Sequence, residues 1–236
     1  MARSVGKRMR PKIITLANTA GGSGKTTLAH ALSVAMVEYG KKTLLIDMDP
    51  RGSLTFRVGR EDQRLSLADF LTGTPIRSED LDSLSERIDF IPADSRVGFG
   101  YTPEDLAALM DKLPKGYDLV ILDTASDLNA GLIAAVTIAD LTLIPYSQTI
   151  HHMRGITQIL GLERKGLSRL LQIGEDTAHA HECAQWEHLD SRCERSDEIE
   201  SAAETTMSVL TVAKNSAVAG EIRECAYSAL ELLEMD

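Results

Sequence analysis

Residues Asn18–Thr27 have the sequence N-T-A-G-G-S-G-K-T-T, with an apolar run before them and a helical pattern after them. Lys12–Asn18 (KIITLAN) is typical of a buried strand, and the apolar residues of Thr26–Tyr39 recur at helical spacing. Glycines let the backbone turn tightly and bring its N–H groups close to an anion, and a helix N-terminus adds a positive dipole end. The stretch therefore predicts a phosphate-binding loop between a strand and a helix.

Each residue type in this loop has a predicted role in holding ATP and Mg²⁺. Lys25 supplies a positive charge to the β- and γ-phosphates, and the Thr26 hydroxyl ligates Mg²⁺. The general pattern has glycine at position 19, where this chain has Thr19, so a glycine-rich turn that binds nothing is the alternative. The strand–loop–helix context favours the phosphate loop. The predicted nucleotide-binding residues are Gly21, Gly22, Ser23, Gly24, Lys25, Thr26 and Thr27.

Strand and helix patterns alternate along most of the chain, which predicts a doubly wound, mostly parallel α/β sheet in a single domain. The predicted strands are Lys12–Asn18, Lys42–Asp47, Ile88–Pro92, Tyr117–Asp123, Leu141–Pro145 and, last, Met207–Ala213. The predicted helices are Thr26–Tyr39, Leu65–Leu71, Pro103–Leu113, Leu128–Ala139, His151–Leu171 and Ala219–Leu233. Ligands of such sheets bind at the carboxyl ends of the strands.

Three aspartates stand at or just after two predicted strand ends: Asp47, Asp49 and Asp123. Both strand ends are expected beside the phosphate loop. A carboxylate there can hold Mg²⁺ through a water or orient a water for in-line attack on the γ-phosphate. The alternative for any single aspartate is a helix N-cap. With Lys25, the predicted catalytic residues are Asp49 and Asp123, whereas Asp47 is expected to hold the loop.

Taken together, Gly21–Thr27, Leu44–Thr55 and Tyr117–Thr124 resemble the motifs of the ParA/MinD family of partition ATPases, and they cover roughly residues 12–150. The resemblance implies a P-loop NTPase fold and a slow ATP hydrolase that a partner protein stimulates. It implies that Asp49 orients the attacking water and that Thr26 and, through water, Asp123 support the metal. It also implies an ATP-dependent homodimer, a ParB-like or other adaptor, and non-specific DNA on which plasmid, chromosome or protein cargo is positioned.

The chain departs from the family pattern at the signature lysine, which is replaced by Ala20, and at Thr124-Ala125-Ser126, where the family favours Thr-Pro-Pro. Arg51, Arg154 and Lys165 are the candidates for a replacement cation that reaches across the dimer. The alternative function is an ATP-binding regulator or scaffold with little turnover. The resemblance weakens after Leu171, although Met207–Glu221 is expected to correspond to the family's adenine-side loop.

Charge is unevenly distributed, since residues 1–171 hold 21 Lys/Arg against 20 Asp/Glu and residues 172–236 hold 4 against 15. If 151–171 is one helix, three basic residues fall on one face with a fourth beside it. They form either a DNA-binding patch or a solvated helix face. The residues of this candidate patch are Arg154, Arg164, Lys165 and Arg169.

The domain interpretation is a basic N-terminal tail, 1–11, followed by an ATPase domain, 12–236. Within it, 172–210 is acidic and poorly matched, and it is either a surface helix region or partly disordered. The N-terminal stretch lacks the apolar centre of a secretory signal, which favours a cytoplasmic protein, associated with the nucleoid if it binds DNA. The last helix is amphipathic but acidic, so we expect no membrane partner.

Overall fold

The computed structural model describes residues 10–175 and 180–235. Its sheet has seven strands in the order β3-β4-β2-β5-β1-β6-β7, and every neighbouring pair is parallel except β3 with β4. The strands are β1 Lys12–Leu16, β2 Thr43–Asp47, β3 Asp82–Ser83, β4 Asp89–Ile91, β5 Leu119–Asp123, β6 Leu141–Tyr146 and β7 Leu167–Gln172. The predicted doubly wound, mostly parallel sheet in one domain is confirmed.

Helices connect the parallel strands and extend past the last one. They are α1 Lys25–Glu38, α2 Ser53–Arg57, α3 Leu67–Leu71, α4 Pro103–Asp111, α5 Ala130–Ile138, α6 Ile150–Leu160, α7 Ala180–Cys183, α8 Asp197–Ala203, α9 Val209–Val212 and α10 Ala217–Leu232. Two short 3₁₀ helices span Ser78–Asp80 and Ser95–Phe99. No helix in residues 10–175 or 180–235 combines the length and apolar character needed to cross a bilayer.

Helices cover both faces of the sheet because the side chains of a strand alternate between faces. In β5, Leu119 and Ile121 belong to one buried cluster, with α1, α9 and α10, whereas Val120 and Leu122 belong to another, with α4 and α5. All five residues of β5 are buried, as parallel strands with two covered faces require. The sheet is thus a buried platform whose strand ends can carry polar groups.

The predicted helix 151–171 is wrong after Leu160, where α6 ends. The chain turns and forms β7, which pairs with β6 from Leu141↔Leu167 to Tyr146↔Gln172. Gly166 allows the turn, because a Cβ there would lie 2.2 Å from the Asp140 carbonyl oxygen. A helix-like sequence pattern is overridden here by pairing with a distant strand.

The predicted strand 207–213 is also wrong, because this segment contains the short helix α9. The Ser208 side chain caps it by accepting a hydrogen bond from the Leu210 N–H. Val209 and Leu210, two of the apolar residues that suggested a strand, are buried in the cluster that includes α1. Upstream, α7 and α8 lie within the acidic stretch 172–210; residues 176–179 of this stretch, like 1–9 of the basic tail, lie outside the described residues.

Candidate nucleotide-binding site

The phosphate loop lies between the end of β1 and the start of α1, at the carboxyl edge of the parallel strands. Gly22 and Gly24 have φ angles of 71° and 91°, in the left-handed region that glycine adopts without strain. Asn18 fixes the start of the loop: its side chain donates to the Pro145 carbonyl at 3.0 Å and accepts from the Ala20 N–H at 2.9 Å. The loop is therefore held in shape by residues at the ends of β1 and β6.

Lys25 is buried and folds back over the phosphate loop. Its ammonium group donates to the Ala20 carbonyl at 3.1 Å, the Ser23 hydroxyl at 3.3 Å and the Ser126 hydroxyl at 2.8 Å. Burial lowers the pKa of Lys25 to about 8, although the carboxylates of Asp123 and Asp49 oppose the shift. All three partners are neutral oxygens, so a phosphate in this position would be a better partner for the charge.

Asp123 ends β5 and is completely buried, and its carboxylate oxygens make no hydrogen bond of good geometry, although the Thr26 hydroxyl lies near them. Burial, followed by the nearby Asp47, raises the pKa of Asp123 well above its usual value; the adjacent Thr26 hydroxyl and Lys25 oppose the rise. A buried carboxylate without partners is costly unless something completes it. This is the chemistry expected of a group that supports a hydrated cation.

Asp47 has a structural role, as expected. Its carboxylate accepts hydrogen bonds from the Asp49 N–H at 2.9 Å and from the Thr55 N–H and hydroxyl, both at 2.8 Å. Burial raises its pKa to about 6, although these donors favour the ionised form. Asp47 therefore holds the loop between β2 and α2, and it lies beside Asp123 in the strand register.

Asp49 is nearly buried and its oxygens are occupied. They accept from the Arg51 N–H at 3.0 Å, from the Arg51 side-chain Nε at 3.1 Å and from the Ser53 hydroxyl at 3.1 Å. The Arg51 side chain is 63% exposed, so the ion pair lies at the mouth of the site. In this arrangement Arg51 and Ser53 compete with any water for the oxygens of Asp49.

These residues fit ATP and Mg²⁺. The loop offers open backbone at Gly21 and Gly22, where an added Cβ would meet nothing within 4 Å. Lys25 supplies a positive charge, and Thr26 with the uncompensated Asp123 supplies oxygen ligands of the type that Mg²⁺ binds directly or through water. The register pairs Asp123 with both Leu16 and Asp47, so all of these groups meet at one edge of the sheet.

Two contacts to the phosphate loop were not predicted. His152, on α6, accepts the Ser147 N–H at its Nδ1 at 2.9 Å, and its Nε2 lies 3.3 Å from the Gly21 carbonyl oxygen. Ser126, which contacts Lys25, was noted only as a departure from the family pattern. Its position three residues after the Asp123 strand end was a usable signal, whereas nothing local to His152 indicates a contact with residues 131 positions earlier.

A cavity of about 180 Å³ lies beside the phosphate loop. Gly22, Gly24 and Leu28 form one wall, and the opposite wall comes from the segment 193–200 and Ile222. The segment that faces the loop across this cavity precedes Met207–Glu221 in the chain, and the assignment of Met207–Glu221 to the adenine side stays a prediction. The short helix α9 directs 207–213 instead toward the buried side of α1.

The four residues of the expected basic patch do not share a helix face, because only Arg154 lies on α6. Arg164 and Lys165 lie in the turn before β7, at the sheet edge opposite the phosphate loop. Arg169 lies on β7 and forms an ion pair with Glu187, and one Arg164 nitrogen donates to the Leu160 carbonyl at 2.7 Å. Arg51 and Arg154 therefore lie toward the nucleotide edge, whereas Lys165 lies toward the opposite edge of the sheet.

Comparison with known proteins places this site in a family. A family model described as an AAA domain matches residues 11–167. The chromosome partitioning protein ParA of Caulobacter vibrioides is 31% identical over 162 residues, which span 63% of this chain and 61% of that protein. The chromosome-partitioning ATPase Soj of Thermus thermophilus is 32% identical over 175 residues, which span 70% of this chain and 68% of that protein.

Solved structures support the same fold. The putative plasmid partition protein of Borrelia burgdorferi, solved with AMPPNP, superimposes with a TM-score of 0.78 at 20% identity, covering 94% of this chain and 99% of that one. This likeness extends past the segment that the family model matches, so the acidic C-terminal region shares the fold. The matched model and the Thermus relative show that the chain belongs to the ParA/MinD-type family of partition ATPases.

Proposed function

We propose that this protein is a slow ATP hydrolase that acts as an ATP-dependent dimerising switch. It positions plasmid, chromosome or protein cargo on non-specific DNA, and a ParB-like or other adaptor stimulates hydrolysis. The observation that carries the proposal is the buried Lys25 beside the uncompensated carboxylate of Asp123. Two costly buried groups at the end of a phosphate loop are explained if a triphosphate and its metal complete them.

Binding of ATP requires Lys25 to exchange partners. Its ammonium group leaves the Ala20 carbonyl and the Ser126 hydroxyl and takes up phosphate oxygens, while the amides of residues 21–24 surround them. Bound Mg²⁺, held by Thr26 and through water by Asp123, would neutralise charge on the phosphates. The exchange replaces neutral partners of a buried cation with anionic ones, which favours binding.

Hydrolysis requires Asp49 to be released. Arg51 and Ser53 compete with a water for the oxygens of Asp49, so the water is oriented for in-line attack only in a fraction of the molecules. Arg51 is also the remaining candidate, with Arg154, for the cation that reaches across the dimer in place of the lysine missing at Ala20. We propose that dimerisation draws Arg51 away from Asp49 and thereby frees the carboxylate. Slow turnover of the isolated protein follows from this pairing.

The proposed dimer face is the carboxyl edge of the sheet. Phe99, Leu128 and Ile150 follow strands β4, β5 and β6 there, and they are 88%, 48% and 69% exposed. Large apolar side chains around the mouth of a polar site are typical of a surface that a partner covers. Two copies meeting at these edges would enclose both nucleotides.

The decisive experiment measures ATP hydrolysis and ATP affinity of the wild type and Asp49→Ala. The variant should hydrolyse ATP about 100-fold more slowly, because a water-orienting carboxylate is lost, with ATP affinity changed by less than about threefold. Asp111→Ala, exposed at the end of α4, is the matched control. An unchanged rate in Asp49→Ala overturns the mechanism.

Co-sedimentation with DNA tests the matrix. DNA should be bound with ATP and released with ADP or without nucleotide, and the affinity should fall steeply as salt rises. Retention that is independent of nucleotide, or none at any salt concentration, overturns the DNA component.

An ATP-binding regulator or scaffold with little turnover is the second candidate. The occupied Asp49 and the loss of the signature lysine at Ala20 favour it. Hydrolysis that stays at background with DNA and an adaptor present, together with tight ATP binding, would select this function over the first.

A further inference from the structure

Two of the three cysteines lie next to each other in the C-terminal region. The Sγ atoms of Cys193 and Cys225 are 3.4 Å apart, and the two side chains are 1% and 0% exposed. The third cysteine, Cys183, packs in a different buried cluster, with α6. The pair plays no part in the proposed nucleotide chemistry.

Both sulfurs are held by well-anchored backbone. The Cys193 N–H donates to the Gln172 carbonyl at 3.0 Å, and the Cys193 carbonyl accepts from the Gly174 N–H at 2.8 Å. Cys225 lies inside α10, which packs against α1, the helix that begins at the phosphate loop. A disulfide has an S–S distance of about 2.05 Å, so the sulfurs need to approach by only about 1.4 Å.

One member of the pair borders the cavity beside the phosphate loop. Cys193 lines that cavity with Gly22 and Gly24, whereas Cys225 is not among its lining residues and is fully buried. A small oxidant in the cavity would therefore meet Cys193 first, with the Cys225 thiol directly behind it. This order is the one found in oxidation sites that have an attacked and a resolving cysteine.

We propose that Cys193 and Cys225 are an oxidation site that forms an intramolecular disulfide with a peroxide as oxidant. The Cys193 thiolate attacks a peroxide oxygen and breaks the O–O bond, giving a sulfenic acid and hydroxide. The Cys225 sulfur then attacks the Cys193 sulfur, forming the S–S bond and releasing the sulfenic oxygen as water. Overall two thiols lose two electrons and two protons, and one H₂O₂ becomes two H₂O.

The reaction is expected to be slow at neutral pH. The hydrogen bond between the two sulfurs, burial and the nearby carboxylates of Glu221 and Glu224 raise the pKa of the Cys193 thiol, whereas the same hydrogen bond lowers the pKa of Cys225. Cys193 faces the cavity but holds its proton more tightly than Cys225, so it must lose that proton before it attacks. Only the thiolate attacks peroxide, so the rate should rise with pH.

The disulfide would join the cavity wall to α10. On the proposed function, ATP in the phosphate loop fills the approach to Cys193 and slows its oxidation. Bond formation itself does not depend on that function, so the two claims can fail separately.

The test uses the full-length wild type, reduced and then treated with H₂O₂ at pH 8.5, and maps tryptic peptides by mass spectrometry without reduction. Trypsin cleaves after Arg192, Arg195 and Arg223, so the two cysteines fall on separate peptides. We expect Cys193–Glu194–Arg195 linked to the peptide that begins at Glu224, with Cys183 still a thiol. Oxidation to sulfinic acid without this link, or no oxidation of either residue, overturns the proposal.

Variants and nucleotide complete the test. Cys225→Ser should leave a sulfenic acid on Cys193 that a dimedone probe labels, and the matched Cys183→Ser should form the disulfide at the wild-type rate. Saturating ATP with Mg²⁺ should slow disulfide formation at least about fivefold. If calorimetry shows ATP bound yet the rate is unchanged, access through the cavity is overturned. If ATP does not bind while the disulfide forms, the nucleotide function fails and the oxidation site stands.

Discussion

The nucleotide edge of the sheet and the C-terminal region, residues 180–235, are specified by the sequence in different ways. At the nucleotide edge, the side chains that matter stand within a few residues of a strand end, and parallel pairing brings the strand ends together. The C-terminal region has four short or medium helices and packs its apolar residues against α1. The nucleotide edge is specified by local sequence motifs, whereas the C-terminal region is specified by long-range packing that produces no recognisable motif.

The two regions nevertheless share the site. The backbone of the phosphate loop forms one wall of the cavity, and 193–200 with Ile222 forms the other. The helix that starts at Lys25 packs against the sheet and also against α9 and α10. A local motif can thus specify where phosphate binds. The rest of the cavity wall comes from a segment whose sequence gives no sign of a functional role.

The contact between Glu86 and the C-terminal region gives the prediction with the largest expected effect on stability. Glu86 accepts from the Ser208 N–H at 2.9 Å and from the Thr211 hydroxyl, and its other oxygen lies 2.6 Å from Nε2 of His30 on α1. Burial raises the pKa of Glu86, but the donors of His30, Thr211 and Ser208 outweigh it and hold the pKa below its usual value.

Glu86→Ala should therefore lower the free energy of unfolding by about 3 kcal/mol, because it leaves the buried His30 ring on α1 and the buried Ser208 N–H at the start of α9 without this partner. Urea denaturation measures this. Glu79→Ala, whose side chain is 74% exposed, is the matched control and should change stability by less than about 0.5 kcal/mol. Equal effects of the two variants would mean that the C-terminal region is not tied to α1 through Glu86.

At the nucleotide edge, Lys25→Ala should weaken ATP binding about 100-fold, or about 3 kcal/mol, because a buried charged donor to the phosphates is lost. Isothermal titration calorimetry with Mg²⁺ present measures the affinity. Lys112→Ala, exposed at the opposite edge of the sheet, should bind ATP like the wild type. If both variants bind ATP with equal affinity, the phosphate loop is not the ATP site. The two regions would then differ in structure but not in nucleotide binding.

Sequence reasoning succeeded where a local pattern determines the structure. The phosphate loop and the five core strands could be predicted from local patterns. A short apolar run bounded by glycines or polar residues has few structural alternatives to a buried strand of a parallel sheet. β7 could not, since L-S-R-L-L-Q follows a helix pattern and becomes a strand only by pairing with β6. The contact of His152 with Gly21, and the cavity wall at 193–200, depend on residues far apart in sequence.

The buried carboxylate of Asp123 gives a prediction about how the nucleotide edge affects the free energy of unfolding. Its pKa is raised in the folded protein, so its contribution to stability is fully present below the unfolded pKa near 4 and is lost as pH rises through the folded value. Asp123→Asn removes the charge and should make the nucleotide-free protein more stable at pH 8, by about 2 kcal/mol.

The advantage of Asp123→Asn should shrink as the pH is lowered from 8 toward 4, because the wild-type carboxyl then becomes neutral too. Urea denaturation across this range measures it, and Asp111→Asn, exposed at the end of α4, is the control. The same Asp123→Asn protein should bind ATP with Mg²⁺ more weakly than the wild type. A difference in stability that is constant with pH would show that Asp123 is not a strained carboxylate held for a ligand.

Arg51 gives the smallest expected effect, since its side chain is 63% exposed and its ion pair with Asp49 is largely solvated. Arg51→Ala should weaken ATP-dependent dimerisation by up to about tenfold and leave ATP affinity of the monomer within about twofold, because the lost cation acts across the interface. Light scattering over a protein concentration series with ATP and ADP measures dimerisation, and Arg77→Ala, exposed and far from the site in the chain, is the control. Dimerisation that survives in Arg51→Ala but fails in Arg154→Ala would move the cross-dimer cation from the loop after β2 to α6. That outcome would also separate dimerisation from the release of Asp49, because Arg154 does not contact that carboxylate.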